Sequence, residues 1–216
     1  METTITVVIR PSEEISKKIL EVKKKTGVYY PNHEDSPPHI TLYRCKLEQG
    51  AYNEVIRTLS EIKIYPTELT LSKLSFSEIP KRDYTFAYFD IVERDILQNI
   101  HETILNAVNP LRGDLVMNKD LERYKRGETT EEDFNLTKKY GFLYFMEKYN
   151  PHITIGTFPI GDMSKKNELV SELGELEGVK FKVDKIFVKY KTRTVPEENV
   201  VFESDTTEIN LEKLDF

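Results

Sequence analysis

The sequence predicts an α+β protein of duplicated β-α-β-β units, with two antiparallel sheets facing a central cleft and helices outside. Three observations carry this. Pro-His-Ile-Thr occurs twice, at Pro38–Thr41 and at Pro151–Thr154, in a chain with four histidines among 216 residues. Each copy alternates polar and apolar side chains and runs on into an aliphatic residue, Leu42 or Ile155, as a strand does. Each is followed by a helical pattern and then two strand patterns, the first starting nearly the same distance beyond its histidine, at about residues 67 and 180 (67 − 39 = 28 and 180 − 152 = 28). Such self-similarity marks an internal duplication, and helices segregated to one side of antiparallel strands make an α+β domain.

The elements follow from local signals. Thr4–Arg10 is β-branched and nearly alternating, a strand inside a sheet. Pro11-Ser12-Glu13-Glu14 opens a helix in which Ser12 can cap free amides and the two Glu favour the positive end. Ile15, Ile19, Leu20 and Val22 supply its buried stripe, and Gly27 lets the chain turn out. Residues 28–38, with three Pro, read as a loop leading to the first motif strand, His39 to about Cys45. A second helix fits 51–62, strands fit 68–76 and 84–92 around a turn at Pro80–Asp83, and a third helix fits 94–108. Residues 111–140 are charged, with two short helical patterns, and read as an insertion between lobes and a candidate lid. A short strand over Phe142–Met146, the second motif strand over Pro151–Phe158, a helix over Ser164–Leu173 and strands near Val179–Lys191 and Asn199–Ile209 complete the chain. The expectation is one bilobed domain over 1–216: lobe one about 1–110, the insertion about 111–140 and lobe two about 141–216, with strands free to exchange between lobes.

The formal charge of −6 argues against a protein that coats long nucleic acid, while leaving room for a local basic pocket. The single Cys45, read as a buried thiol, excludes an internal disulfide and a cysteine-pair zinc site. The opening Met-Glu-Thr-Thr-Ile-Thr lacks the basic start and apolar core of a signal peptide. No run approaches the roughly 20 apolar residues of a membrane span. A monomer in a reducing cytoplasm, without a membrane partner, is expected.

Side chains two apart on a strand share a face, about 6.5 Å from one another. His39 and Thr41 therefore lie together, as do His152 and Thr154, while Ile40, Leu42, Ile153 and Ile155 point into a core. Either histidine alone would more often be a surface or core residue; the pair carries the catalytic reading. One of two such histidines can take a proton from an attacking oxygen while the other gives one to a leaving oxygen. An imidazole titrating near ~6.5 can serve either role at neutral pH. Threonine hydroxyls beside them can donate to oxygens on which negative charge builds. No metal or other cofactor is called for. Two histidines give at most half of a zinc site, with His33 in the loop near His39 the one further candidate. His101 lacks the second helical histidine of a zinc protease and reads as a solvated or packing residue.

The paired His-x-Thr-x motif, each Thr followed by an aliphatic residue, resembles the 2H phosphoesterase superfamily, which includes 2'-5' RNA ligase-like proteins and 2',3'-cyclic phosphodiesterases. The resemblance implies the bilobed 2H fold, with both motif strands lining a central cleft and His39, Thr41, His152 and Thr154 converging on one phosphate. Asn109–Arg112 and Leu136–Tyr144 weakly resemble a bacterial branch associated with phosphonate metabolism. The expected function is a metal-independent phosphodiesterase hydrolysing a cyclic phosphate of a nucleotide, an RNA end or a sugar. The alternatives are a 2'-5' RNA ligase-like activity and a non-catalytic nucleotide- or RNA-binding module. Tyr43, two beyond Thr41, Phe158, four beyond Thr154, and Tyr30 in the preceding loop are the expected substrate-binding aromatics. Arg10, Lys46, Arg112, Arg123, Lys125, Arg126 and Arg193 are candidate phosphate anchors.

Overall fold

The computed structural model describes residues 2–30, 36–48, 50–144, 146–193 and 203–211. Its strands are β1 (Glu2–Ile9), β2 (Ile40–Leu47), β3 (Thr67–Ile79), β4 (Tyr84–Ile91), β5 (His152–Pro159), β6 (Lys180–Val183), β7 (Lys185–Arg193) and β8 (Glu203–Asn210). Its α-helices are α1 (Glu13–Thr26), α2 (Tyr52–Glu61), α3 (Arg94–Val108), α4 (Asn118–Lys125), α5 (Glu131–Tyr140) and α6 (Met163–Leu173). The strands form one row in the order β6-β3-β4-β5-β2-β1-β7-β8, with antiparallel pairing throughout.

The motif strands β2 and β5 lie side by side at the centre of that row, joined through one Cα pair, Ile40 with Ile153. The row is thereby divided into two sets of four, and the chain crosses between them. Of the strands that follow the first motif, β4 pairs with β5 and β3 with β4; of those that follow the second, β7 pairs with β1 beside β2 and β8 with β7. The equal 28-residue intervals equate β3 with β6, yet these two strands are neighbours. The strands in matching places are β3 and β7, each two positions out from a motif strand.

Helices α1 and α6 lie against one another, as do α2 and α3, with α3 along β2 and α1 along β5. Ser12 accepts from the Ile15 amide at the start of α1, and Gly27 ends it with φ 67° while its amide donates to the Lys23 carbonyl. The rear of each motif strand is core: Ile40, Leu42, Ile153 and Ile155 are each at most 1% exposed. Burying such a side chain contributes about 1.5–3 kcal/mol, so the motif strands are anchored from behind.

The insertion is tied down from within by Arg112 and from outside by Tyr43, Lys46 and Lys148, which bond to Tyr140, Asn118 and Asp133. Arg112, 2% exposed, donates from Nε to Asn109 Oδ1 at 2.7 Å, from Nη1 to the Leu115 carbonyl at 2.6 Å and from Nη2 to the Lys138 carbonyl. It closes the 109–140 segment on itself and is not a phosphate anchor. Two expected strands change. Residues 141–144 are bends before a 3-10 turn at Met146–Lys148, and 179–191 divides at Asp184 into β6 and β7. No described helix is long and apolar enough to cross a membrane.

Candidate active site

The Ile40–Ile153 pair sets the geometry of the site. Continuing that antiparallel register one residue to each side puts His39 opposite Thr154 and Thr41 opposite His152. Opposed residues point to the same side of a sheet, so the four motif side chains share the face turned away from the two buried isoleucines. All four are partly buried. Both imidazoles are held alike: His39 Nδ1 lies 2.7 Å from the Pro37 carbonyl and His152 Nδ1 lies 2.7 Å from the Asn150 carbonyl. A carbonyl only accepts, so Nδ1 carries a hydrogen and Nε2 is left as the site of proton exchange.

Both motif strands also carry the same irregularity three residues beyond the histidine. Pairing with β1 steps from Val8–Thr41 to Val7–Tyr43, and pairing with β4 steps from Tyr88–Thr154 to Ala87–Gly156. Leu42 and Ile155 are thus the extra residues of two bulges, and a bulge reverses the alternation beyond it. Arg44, Lys46 and Thr157 then take the motif face, while Tyr43 and Phe158 turn inward. Two expected substrate contacts are corrected on this ground. Tyr43 is 0% exposed, its hydroxyl donating to the Tyr140 carbonyl at 2.8 Å, and Phe158 is 6% exposed, packed edge-on to Phe76.

The third expected aromatic does reach this face. Along β4, Tyr84, Phe86, Tyr88 and Asp90 alternate outward, with Tyr88 opposite Thr154 and Asp90 opposite His152. Phe86 and Tyr88 present their rings edge-to-face with His152 at 5.6 and 5.5 Å, and Tyr30 stands edge-on to Phe86 at 6.2 Å. Gly156 makes that approach possible. The Thr157 amide donates to the Tyr29 carbonyl at 3.0 Å, and a Cβ on residue 156 would lie 2.8 Å from backbone atoms of Val28 and Tyr29. Only glycine lets the 28–30 segment cross β5 so closely.

The charges beside the two histidines differ. Burial pushes His152 below the ordinary imidazole value, opposed by the Asn150 carbonyl and by Asp90. Asp90 is fixed by Ser75 Oγ at 2.7 Å and by Arg94 at 2.6 Å. Beside His39 stands Lys189 of β7, its Nζ 3.4 Å from Nδ1. Sequence reasoning missed Lys189 because reading 179–191 as one strand gave no register. Asp90 could have been found from its place on the alternating, polar-outward face of β4.

His101 is a packing residue. It is 0% exposed, stacked on Tyr149 at 4.3 Å, with Nδ1 donating to the Leu42 carbonyl and Nε2 accepting from the Met146 amide at 3.2 Å. Burial lowers its pKa, and the neutral ring ties the β2 bulge to the segment entering β5. His33 lies outside the described residues. Among those described, no group of three or more His, Cys, Asp or Glu is arranged to hold a metal ion. A surface hollow of about 500 Å³ between α1 and residues 175–180 shares no residue with the motif face.

Comparison with known proteins bears on this arrangement. A family model described as the 2'-5' RNA ligase superfamily matches residues 11–193. No curated protein matches the chain significantly. Among solved structures, E. coli LigT complexed with 3'-AMP is 11% identical, covering 98% of this chain and 99% of its own, with a TM-score of 0.55. A structure described as a phosphoesterase is 10% identical over 97% of this chain and 99% of its own, with a TM-score of 0.51. Kluyveromyces marxianus Usb1 is 10% identical over 97% and 98%, and its TM-score of 0.44 is too low to carry an argument. At these identities the likeness is one of fold.

Proposed function

The chain belongs to the 2'-5' RNA ligase superfamily, and we propose that it is a metal-independent phosphodiesterase that opens a cyclic phosphate with two histidines as base and acid. The substrate class is a 2',3'-cyclic nucleotide, an RNA end or a sugar cyclic phosphate. One observation carries the reading: four motif side chains share a face, and both Nδ1 atoms are held by carbonyls, which supports a role for the two Nε2 atoms in proton transfer at one phosphate.

Water attacks phosphorus in line with the ring oxygen that leaves. As the new P–O bond forms, one imidazole takes the proton of the water. As the ring P–O bond breaks, the other gives its proton to the departing sugar oxygen, and a phosphomonoester results. Thr41 and Thr154 donate to the non-bridging oxygens as negative charge grows there. An ammonium beside an imidazole disfavours its protonation, whereas a carboxylate favours it. Burial lowers the pKa of His152, but the Asn150 carbonyl and Asp90 opposite it work against that lowering. The Lys189 ammonium beside His39 only disfavours a second charge. On these neighbouring charges we assign His39 as base and His152 as acid. Tyr30, Phe86 and Tyr88 form the platform for a base, whose stacking on aromatic rings is sequence-tolerant. The 3'-AMP held by E. coli LigT is a ligand of the expected product class.

The superfamily's name favours one further reading, a 2'-5' RNA ligase-like activity in which a ribose hydroxyl replaces water. Incubation with 2',3'-cyclic nucleotides and with cyclic-phosphate-ended tRNA halves separates the two. Release of nucleoside monophosphate supports hydrolysis, joined halves without release support ligation, and neither product defeats both.

A further inference from the structure

We propose that the face of β1 and β7 beside His39 is a site for a second, uncleaved phosphate of the substrate, held by Arg10, Lys189 and Lys191. This inference deepens the function proposed above: the substrate is a nucleotide that carries a phosphate besides the cyclic one.

The strand registers place the cations. Val8 is opposite Thr41 and Ile9 opposite Ile40, which carries Arg10 to the level of His39. On the other side of β1, Thr6 is opposite Lys189 and Thr4 opposite Lys191. Thr6 and Thr4 also face Arg44 and Lys46 of β2. From Thr4 to Arg10, from Thr41 to Lys46 and from Phe187 to Lys191, this face therefore holds five cations and no carboxylate. Glu208, opposite Phe187 on β8, is engaged by Lys185 at 2.5 Å. The opposing wall differs in kind: from Tyr84 to Asp90, β4 presents three aromatic rings and a carboxylate to the motif face and no cation.

Two of the cations are built to take an anion. The Arg10 guanidinium lies over the Phe187 ring at 4.2 Å, and its Nε is buried without a hydrogen-bond partner among the described residues. A guanidinium fixed flat on a ring is organised for the oxygens of a phosphate. The Lys189 ammonium is partly buried between Arg10 and Lys191, and burial and both neighbours push its pKa down, to about 8. Every cause acting on it disfavours its charge, and a bound dianion would reverse that balance.

Position separates this site from the scissile phosphate. Lys189 meets His39 at Nδ1, the nitrogen already held by Pro37, and not at Nε2. Its strand lies two positions beyond β2, so the ammonium approaches the imidazole from the side away from β5 and His152. A phosphate there belongs to the neighbouring position of a nucleotide, with the base on the aromatic wall of β4.

The test compares kcat/KM for a 2',3'-cyclic nucleoside phosphate with a free 5'-hydroxyl, the same compound with a 5'-phosphate, and a dinucleotide ending in the cyclic phosphate. Alongside, affinities are measured calorimetrically for a nucleoside 3'-phosphate and for its 3',5'-bisphosphate. The wild type is expected to favour each compound with the second phosphate by at least roughly tenfold at low salt, the scale of one charge-assisted hydrogen bond. In Lys189→Met and in Arg10→Gln that ratio falls towards one, and Lys189→Arg restores most of it. Lys191→Ala lowers it without any demand on the core. Preference for the 5'-phosphate supports a mononucleotide source, and preference for the dinucleotide alone supports an RNA end. A wild-type ratio near one, or a ratio that Lys189→Met and Arg10→Gln leave unchanged, overturns the site. Absence of all turnover with a retained bisphosphate preference overturns the phosphodiesterase reading and leaves the site standing.

Discussion

Gly156→Ala tests how the aromatic wall is assembled. A Cβ at this position would lie 2.8 Å from the carbonyl carbon of Val28 and from Tyr29 N and C, all backbone atoms that have no rotamer to escape into. Forcing them apart costs about 1–3 kcal/mol, the usual range for overpacking. It also loosens the hydrogen bond that the Thr157 amide donates to the Tyr29 carbonyl, worth about 1 kcal/mol. Together these give about 2–4 kcal/mol, which for a domain of this size lowers Tm by roughly 4–15 °C. The displaced segment carries Tyr30 away from Phe86, and losing one stacked base contact costs about 1–3 kcal/mol, a rise in KM of roughly 5–150-fold. Circular-dichroism melting and steady-state kinetics on a confirmed cyclic nucleotide read both effects, with Tyr30→Ala as the variant that moves KM and leaves Tm nearly fixed. A Gly156→Ala protein with the wild-type Tm refutes the close-crossing argument. One that is destabilised yet keeps its KM, when Tyr30→Ala raises it, refutes the link from the crossing to Tyr30.

Three further outcomes follow from the charges and the packing. Asp90→Asn removes the carboxylate that supports protonation of His152. An acid must be protonated, so the alkaline limb of the rate profile moves to lower pH; a fixed limb contradicts the assignment of His152 as acid. His101 is held neutral by burial, so below about pH 6.5 the unfolded chain binds a proton that the folded chain resists. Stability therefore falls as pH drops through this range, and His101→Asn flattens part of that slope in urea titrations at pH 7.5 and 5.5; an unchanged slope contradicts it. Arg112→Met strands the acceptors of a buried guanidinium and lowers stability by about 2–4 kcal/mol, read by denaturant titration. A loss below about 0.5 kcal/mol would show that the insertion is held elsewhere.

The parts legible in the sequence were those governed by local periodicity. The helix at Arg94–Val108 and the cap at Ser12 follow from spacing and capping chemistry, and a period of two puts His39 with Thr41 and His152 with Thr154, while the Ile40–Ile153 pairing brings the two pairs to one face. Local periodicity fails at the two bulges. Counting by twos past Leu42 and Ile155 sends Tyr43 and Phe158 to the wrong side, and nothing in Thr-Leu-Tyr announces an extra residue. In β5 a signal was present, because Gly156 interrupts an otherwise alternating strand where bulges and close crossings occur. The neighbouring placement of β3 and β6 depends on contacts more than a hundred residues apart, which no interval in the sequence encodes. Asp90 and Lys189 reach the histidines through other such pairings, β4 with β5 and β7 with β1.

The central claim is that two imidazoles on adjoining strands divide the proton transfers at one phosphate. Its most direct measurement is the pH dependence of kcat/KM on a 2',3'-cyclic nucleotide in EDTA, for the wild type, His39→Ala, His152→Ala and the double variant. The expected wild-type profile is bell-shaped, and each single variant is expected to stay folded and lose roughly 10²–10⁴-fold. The acidic limb disappears with His39, the alkaline limb with His152, and the double variant loses clearly less than the product of the single losses. A folded single variant with near-wild-type turnover, or wild-type activity abolished by EDTA and restored by one divalent ion, contradicts the claim.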